Sequence, residues 1–494
     1  MIKFCDEIED YEYYFCCTGY EDYSDGYWDS DWIYEYSDLQ GIGRKLEEAF
    51  LLAESLVYEK CYSEVDELYD RLISLEIFAY YEDAEEMLDE GLSIVDAVNE
   101  KLINIDLMDV CSHILYTIFQ AKTGNKCILS MYHVFHNEAF REVPLESMFS
   151  VGSEPINEID EFMTAFYKFL MTKKGSLESR LLKETIPYIK EDGIKIAREA
   201  ATIYPSIYYE LCMEALMEKQ FEKVIEIGED ALKYIPSKLI MRSKIAYITA
   251  NAYRKKSDNI GYKKCFIEGF ISNSSPVNFL SLFTVCNVSE IKEVFGKMKN
   301  SSIQMDRQHD FVTSELSVNN ISYMNKSIIR FFSGEYNHIK RDCIVDKKYL
   351  GWSNSLKGLS IPLFLILLEN GNKDFKAKNK IVENIKLRLG IYSELQFTPD
   401  FEEMILYWKT KMPLIDSKKE YIEWIQDEVD KRVEGVVGGG YRKSYHKGAE
   451  LIVYLGQVLE SNGEKGATMR LVDKYKKIYS RKRAFKSELN DLLS

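Results

Sequence analysis

His133 and His136 are the residues of this chain whose types and spacing come nearest to metal chemistry. On a helix, the i, i+3 spacing puts both imidazoles on one face, and Cys127 lies upstream. A structural zinc site closes four N or S ligands around the ion. The ligands still lacking would have to come from afar, with Cys111 and His113 the nearest in sequence. The pair is therefore read as ordinary histidines packed between helices, and neither a metal nor a cofactor is expected.

The stretch Gly435-Val436-Val437-Gly438-Gly439-Gly440-Tyr441-Arg442-Lys443-Ser444 has the composition of a phosphate cradle. A Walker-type loop follows a strand and sets Lys-Ser/Thr directly after its last glycine. Here Tyr441 and Arg442 intervene, and a helical pattern from Tyr421 to Val433 precedes. The stretch is read as a linker capping the next helix, with a weak anion site conceivable at Arg442 and Lys443. Gly41-Ile42-Gly43 is likewise read as lacking a strand before it. Asp83, Glu85 and Glu86 fall on an exposed face without a pocket signature, so no acid–base role is assigned to them. With no G-x-S-x-G, H-E-x-x-H or Cys–His nucleophile context, the chain is expected to be non-catalytic.

The elements that would position any site are helices. From Tyr208 to Pro236 the pattern folds back on itself. Tyr208, Leu211, Cys212 and Ala215 share one helical face; Glu218-Lys219-Gln220 breaks it. Phe221 then opens a second helix with a stripe of Val224, Ile227, Ala231 and Leu232, and Pro236 stops it. The order is nearly that of a tetratricopeptide repeat, with Gly228 where an aromatic is usual and Lys219 where a glycine is usual. One hairpin cannot bury both its faces, so an array is expected. Amphipathic periods recur at Leu46–Val57, Val65–Ile73, Ala84–Val98, Leu107–Phe119 and Tyr445–Leu459, with shorter helices between Ser289 and Lys348. Leu363, Ile366 and Leu367 are expected to face inward from a helix over Ile361–Leu368. Ser150–Pro155 and Ser272–Pro276 read as breaks.

Charge is uneven. The chain of 494 residues carries a formal net charge of −17, which argues against wholesale coating of nucleic acid. Residues 1–40 hold twelve acids, twelve aromatics and one base, Lys3. They read first as a solvated cap whose rings pack on the first helices, and alternatively as an arm whose Tyr27, Trp28, Trp32 and Tyr34 would anchor a basic protein partner. From Tyr441 the balance reverses to twelve Lys and Arg against six acids. Lys474, Lys477, Arg481, Lys482 and Arg483 would form the surface of a nucleic-acid-associated alternative. The start, Met1 to Glu7, does not read as a signal peptide. The longest apolar run, Leu359 to Leu368, is about half of what a membrane span requires. Ten scattered cysteines read as reduced thiols, and a cytoplasmic protein is expected.

Two further stretches carry a family likeness. Leu350-Gly351-Trp352-Ser353-Asn354-Ser355-Leu356-Lys357-Gly358, ahead of the apolar helix, resembles a turn in the helical part of bacterial SWIM-type zinc-finger proteins. Tyr441-Arg442-Lys443-Ser444-Tyr445 and the closing Arg481-Lys482-Arg483-Ala484-Phe485-Lys486-Ser487-Glu488-Leu489 are similar to that family's ending. The helix pairs between Gly43 and Met87 also resemble its helical segment. The family's C-x-C and C-x-H ligand pairs are not reproduced: Cys16 and Cys17 are adjacent, and Cys111-Ser112-His113 stands alone. The resemblance thus implies the helical scaffold without its zinc finger, as a partner or split-off half of a protein that binds DNA or protein.

The expected architecture is all-α, with tetratricopeptide-like hairpins stacked as an α-solenoid. Its parts are the arm (1–40), N-terminal hairpins (41–150), central repeats (151–340) and a C-terminal helical region with a basic end (341–494). The expected function is a scaffold for protein–protein interaction. An enzyme assembled from distant positions is the third reading.

Overall fold

A computed structural model describes residues 1–22, 31–152, 156, 158–189, 192–300, 314–371, 373–391, 399–414 and 418–493, without side chains at 20–22, 31–33, 299–300 and 314. The chain forms two compact units, Met1–Asp192 and Gly193–Ser494.

The first unit opens with α1 (Ile2–Glu9) and the strands β1 (Phe15–Asp22) and β2 (Asp31–Ser37), followed by α2 (Ile42–Tyr58) and α3 (Tyr62–Ile73). Arg71 of α3 ties back to α1, 2.6 Å from Asp6 and 3.1 Å from Glu9. Short strands follow: β3 (Glu76–Ile77), β4 (Ala79–Tyr81), β5 (Glu86–Met87) and β6 (Leu92–Ser93). β1 pairs antiparallel with β2 (Cys17 opposite Tyr36) and parallel with β4 (Cys16 opposite Tyr80). The sheet order is β2-β1-β4-β5. Residues 1–40 thus put Phe15, Cys16 and Cys17 into the core of this unit.

The helix expected over Ala84–Val98 does not form; only α4 (Ile94–Asn99) is helical there. Two local features oppose the longer helix. Glu85 sits at φ 55 and turns β4 into β5, and Ser93 and Asp96 make a reciprocal capping box that starts α4 late. Pairing of β5 with β4 and of β6 with β3 then outweighs an apolar spacing that also fits a helix. The unit continues through α5 (Leu107–Ala121), α6 (Gly124–Val134), α7 (Ile159–Leu170) and α8 (Ser176–Thr185).

The second unit is helical. Its first run is α9 (Gly193–Ala200), α10 (Ser206–Met217), α11 (Phe221–Tyr234), α12 (Ile240–Lys255), α13 (Asn259–Ser272) and α14 (Pro276–Val285), and from α10 onward each helix packs on the next. Then come α15 (Val288–Asn300), α16 (Tyr323–Phe332), α17 (Tyr336–Val345), α18 (Lys357–Leu368), α19 (Lys376–Leu389) and α20 (Phe401–Lys411). The unit ends with α21 (Lys418–Val433), α22 (Tyr445–Ser461), α23 (Ala467–Ile478) and α24 (Arg483–Asp491).

One turn joins four of the helix pairs. After α2, α10, α12 and α16 the second residue past the helix is left-handed: Lys60 (φ 63), Lys219 (φ 59), Ser257 (φ 59) and Gly334 (φ 90). Its N–H and the next one bond back to the last turn, as Lys219 to the Leu216 carbonyl and Gln220 to the Ala215 carbonyl, each at 2.9 Å. This is the Schellman closure of a helix, and the partner helix begins one residue later. Gly228, the departure from the repeat pattern, has a physical reason. A Cβ there would sit 1.9 Å from Thr249 Oγ1, so α11 and α12 approach too closely for any side chain.

Helix α18 is buried from Leu359 to Leu368, not only at Leu363, Ile366 and Leu367. An all-apolar helix has no polar face to turn outward. Around it lie Phe331, whose ring is 4.7 Å from Phe364, and Trp408, which donates its indole N–H to the Phe332 carbonyl at 3.0 Å.

Candidate functional site

A cleft of about 940 Å³ lies in the second unit, between the end of α18, α19, α20 and the start of α21. Its size is at the upper end of ligand-site volumes. Leu367, Val382, Ile405, Leu406 and Leu414 supply apolar wall, and Lys373, Lys378, Lys409 and Lys418 supply ammonium groups.

Glu369, the residue that ends α18, organises the inner end. Its buried carboxylate is 2.9 Å from Lys378 Nζ and accepts the Tyr454 hydroxyl at 3.1 Å. Its carbonyl accepts Lys409 Nζ at 3.0 Å. Burial of Lys409 pulls its pKa below the ordinary lysine value, with Glu369 opposing. Burial, and then Glu369, hold the Tyr454 phenol protonated. Two ammonium groups therefore meet at one residue, Lys378 on its carboxylate and Lys409 on its carbonyl. At the rim, Lys418 donates to Asn370 Oδ1 at 2.9 Å, while Glu383 is 2.9 Å from Lys386 and Asp374 accepts from Asn379 at 2.6 Å.

The sequence reading missed this cleft, although one signal was there. Lys378 falls in phase with Ile381 and Ile385 on the buried stripe of α19. A lysine on an apolar stripe needs a buried partner.

Of the four arm residues, Tyr27 and Trp28 lie outside the described residues, and the Trp32 side chain does as well. Tyr34 is half-buried, its ring 6.3 Å from Tyr36 and edge-on to Tyr81 at 5.7 Å. Strand β2 carries it along one edge of the sheet.

At the basic end, Lys474 is 3.0 Å from Asp430. Lys477, Arg481 and Arg483 are exposed and Lys482 half-buried. The glycine-rich stretch continues α21 as a wide turn over Glu434–Gly438, which excludes a strand-fed cradle. It brings the two basic segments together, for a Cβ at Gly440 would lie 3.9 Å from Lys482 Nζ. Arg442 and Lys443 stand exposed two and three residues on.

His133 and His136 share the wall of a cavity of about 320 Å³ with Asp66, Asp70 and Lys122. His136 Nδ1 bonds the Tyr132 carbonyl at 2.9 Å. The cysteines considered with them face elsewhere: Cys127 contacts the Ile118 carbonyl and Cys111 that of Ala139. Burial pushes their thiols up to about 11 and about 12, so neither is a ready thiolate ligand. Asp83, Glu85 and Glu86 are exposed. The Leu350–Gly358 turn packs inward: Trp352 is buried beneath the Arg432 guanidinium, 5.3 Å from its ring. Among the described residues no helix is long and apolar enough to cross a membrane. No protein-family model matches the chain, and neither a curated protein nor a solved structure matches it.

Proposed function

We propose that this chain is a non-catalytic helical-hairpin scaffold that holds a protein partner, with the cleft beside α18–α20 as the seat for an acidic amphipathic helix of that partner. The cleft carries the reading. It joins apolar wall to an inner end where Lys378 meets the Glu369 carboxylate and Lys409 the carbonyl of the same residue. A groove of that chemistry suits a helix with apolar anchors and carboxylates on one face. The repeated Schellman turn supports stacked hairpins of tetratricopeptide kind. The partner fits the scaffold half of a SWIM-type zinc-finger system, and edge strand β2 offers it a second, acidic contact.

Titration with synthetic amphipathic helical peptides tests this. Peptides with Glu on the polar face should bind, and the same peptides with Lys should not. Leu406→Arg and Lys409→Glu should each remove binding. Equal affinity for both peptides, or binding indifferent to both substitutions, would end the reading.

A second reading rests on the meeting of Gly440 and Lys482, which gathers Arg442, Lys443, Arg481 and Arg483 for phosphate contact. It requires retention on DNA or RNA that falls steeply with salt and weakens when Arg481, Lys482 and Arg483 become Glu.

A further inference from the structure

We propose that Glu54 of α2 and Asp109 and His113 of α5 form a binding site for a divalent transition-metal ion of the zinc class. One carboxylate oxygen of each acid and a ring nitrogen of His113 all lie within 4.8 Å of one another. Asp109 and His113 are one turn apart on α5 and so share a face; Glu54 is brought to them from α2. The three line a recess of about 230 Å³ that also takes in Tyr69 of α3.

The imidazole points to a ligand independently of the acids. His113 is 3% exposed. Its Nδ1 is 2.9 Å from the Asp109 carbonyl, which can only accept, so Nδ1 carries the hydrogen. Nε2 is buried with no partner. Ligating histidines are typically held in this way, with the other ring N–H given to a carbonyl or carboxylate. A buried acceptor left empty is costly, and a metal ion removes that cost.

The charges agree. Among the described residues neither Glu54 nor Asp109 has a lysine or arginine partner, and the Asp109 carboxylate lies 3.6 Å from His113 Nδ1. A divalent cation would relieve the repulsion between the two carboxylates. One imidazole with two carboxylates suits zinc, cobalt or manganese better than calcium or magnesium, which prefer all-oxygen sites. Three protein ligands leave a coordination position open to water. The ion would clamp α2 to α5.

The test uses the full chain, stripped with chelator and titrated with Zn²⁺ or Co²⁺ alone. One equivalent should bind, with visible Co²⁺ absorption and a raised melting temperature. Glu54→Gln, at a half-buried position, and Asp109→Asn, at an exposed one, should each weaken binding tenfold or more while the circular dichroism stays unchanged. His113→Gln should abolish binding; because that side chain is buried, the two carboxamide variants decide if it misfolds. No binding by the parent chain would overturn the proposal. So would affinity unchanged in Glu54→Gln and Asp109→Asn, or loss instead on changing His133 and His136.

Discussion

Lys357 Nζ lies 2.7 Å from Glu428 Oε2, with the two side chains 1% and 4% exposed. The pair joins the first residue of α18 to α21 beneath the Leu350–Gly358 turn. Breaking a buried pair from one side strands a charge, so Lys357→Met should cost about 3–5 kcal/mol in urea unfolding. Adding Glu428→Leu should recover most of that loss, because an apolar pair of similar volume fills the site without desolvation. A double variant as unstable as the single one would mean the ion pair itself, not the orphaned charge, supplies the stability.

Gly228 gives a prediction of unusual sign. Replacing a mid-helix glycine by alanine ordinarily stabilises by about 0.5–1 kcal/mol. Here the added Cβ would meet Thr249 Oγ1 at 1.9 Å and the rest of that side chain within 2.8 Å. Gly228→Ala should therefore destabilise by about 1–3 kcal/mol, as overpacking does. Thr249→Ala in the same chain should relieve part of the loss. A stabilised Gly228→Ala would show that α11 and α12 stand further apart.

The shared turn predicts opposite effects at equivalent places. Lys219 and Ser257 hold left-handed backbone at a cost of roughly 1–2 kcal/mol each relative to a residue free of it. Lys219→Gly and Ser257→Gly should stabilise by a fraction of that, and Gly334→Ala should destabilise. Thermal unfolding of the three variants reads the pattern; a uniform sign would break the equivalence of the turns.

The same residues show what could be read from sequence. The apolar stripes of α3, α5 and α11 and the stop at Pro236 follow from local spacing, because a helix buries what its period lines up. Leu211 marks the limit: periodicity put it with Tyr208, Cys212 and Ala215, which are buried, yet it is only half-buried. Leu211→Ala should thus fall below the ~2–5 kcal/mol of a fully packed leucine. Strand β4 was illegible because its pairing partner, β1, lies more than sixty residues away, and β5 forms only on β4. The Lys378–Glu369–Tyr454 cluster, and Glu54 beside His113, are likewise set by tertiary approach. Asp109 and His113, one turn apart, were the part of the second cluster that sequence could offer.

Glu450 on α22 sets a pH dependence. Burial raises its carboxyl to about 7, with Glu488 adding and Lys380 and Lys447 opposing. Between about pH 4.5 and 7 the folded chain then holds a proton that the unfolded chain has released. Stability should fall as pH rises through that window. Nearby His446 is shifted down, chiefly by burial. Its contribution has the other slope, being lost as pH falls through its lowered folded value. Glu450→Gln should remove the first slope and leave the second. Melting temperatures between pH 4.5 and 8 measure both, and an unchanged profile in Glu450→Gln would place the titration elsewhere.

Lys409 gives a chemical probe of the cleft. Its amine is half-buried, and burial lowers its pKa, so more of it is neutral at a given pH than of an ordinary lysine. An acylating reagent small enough to enter should modify Lys409 ahead of exposed Lys477 near pH 8, as mapped by mass spectrometry. The bond to the Glu369 carbonyl slows this reaction but leaves the nitrogen lone pair available once the proton is gone. Glu369→Gln removes the carboxylate that favours the charged form, so modification should quicken further. The bound acidic peptide should protect Lys409 and leave Lys477 unaffected. Modification of Lys409 no faster than of Lys477 would mean its ammonium is solvated as at an open surface, and the cleft would lose the feature that selects an acidic ligand.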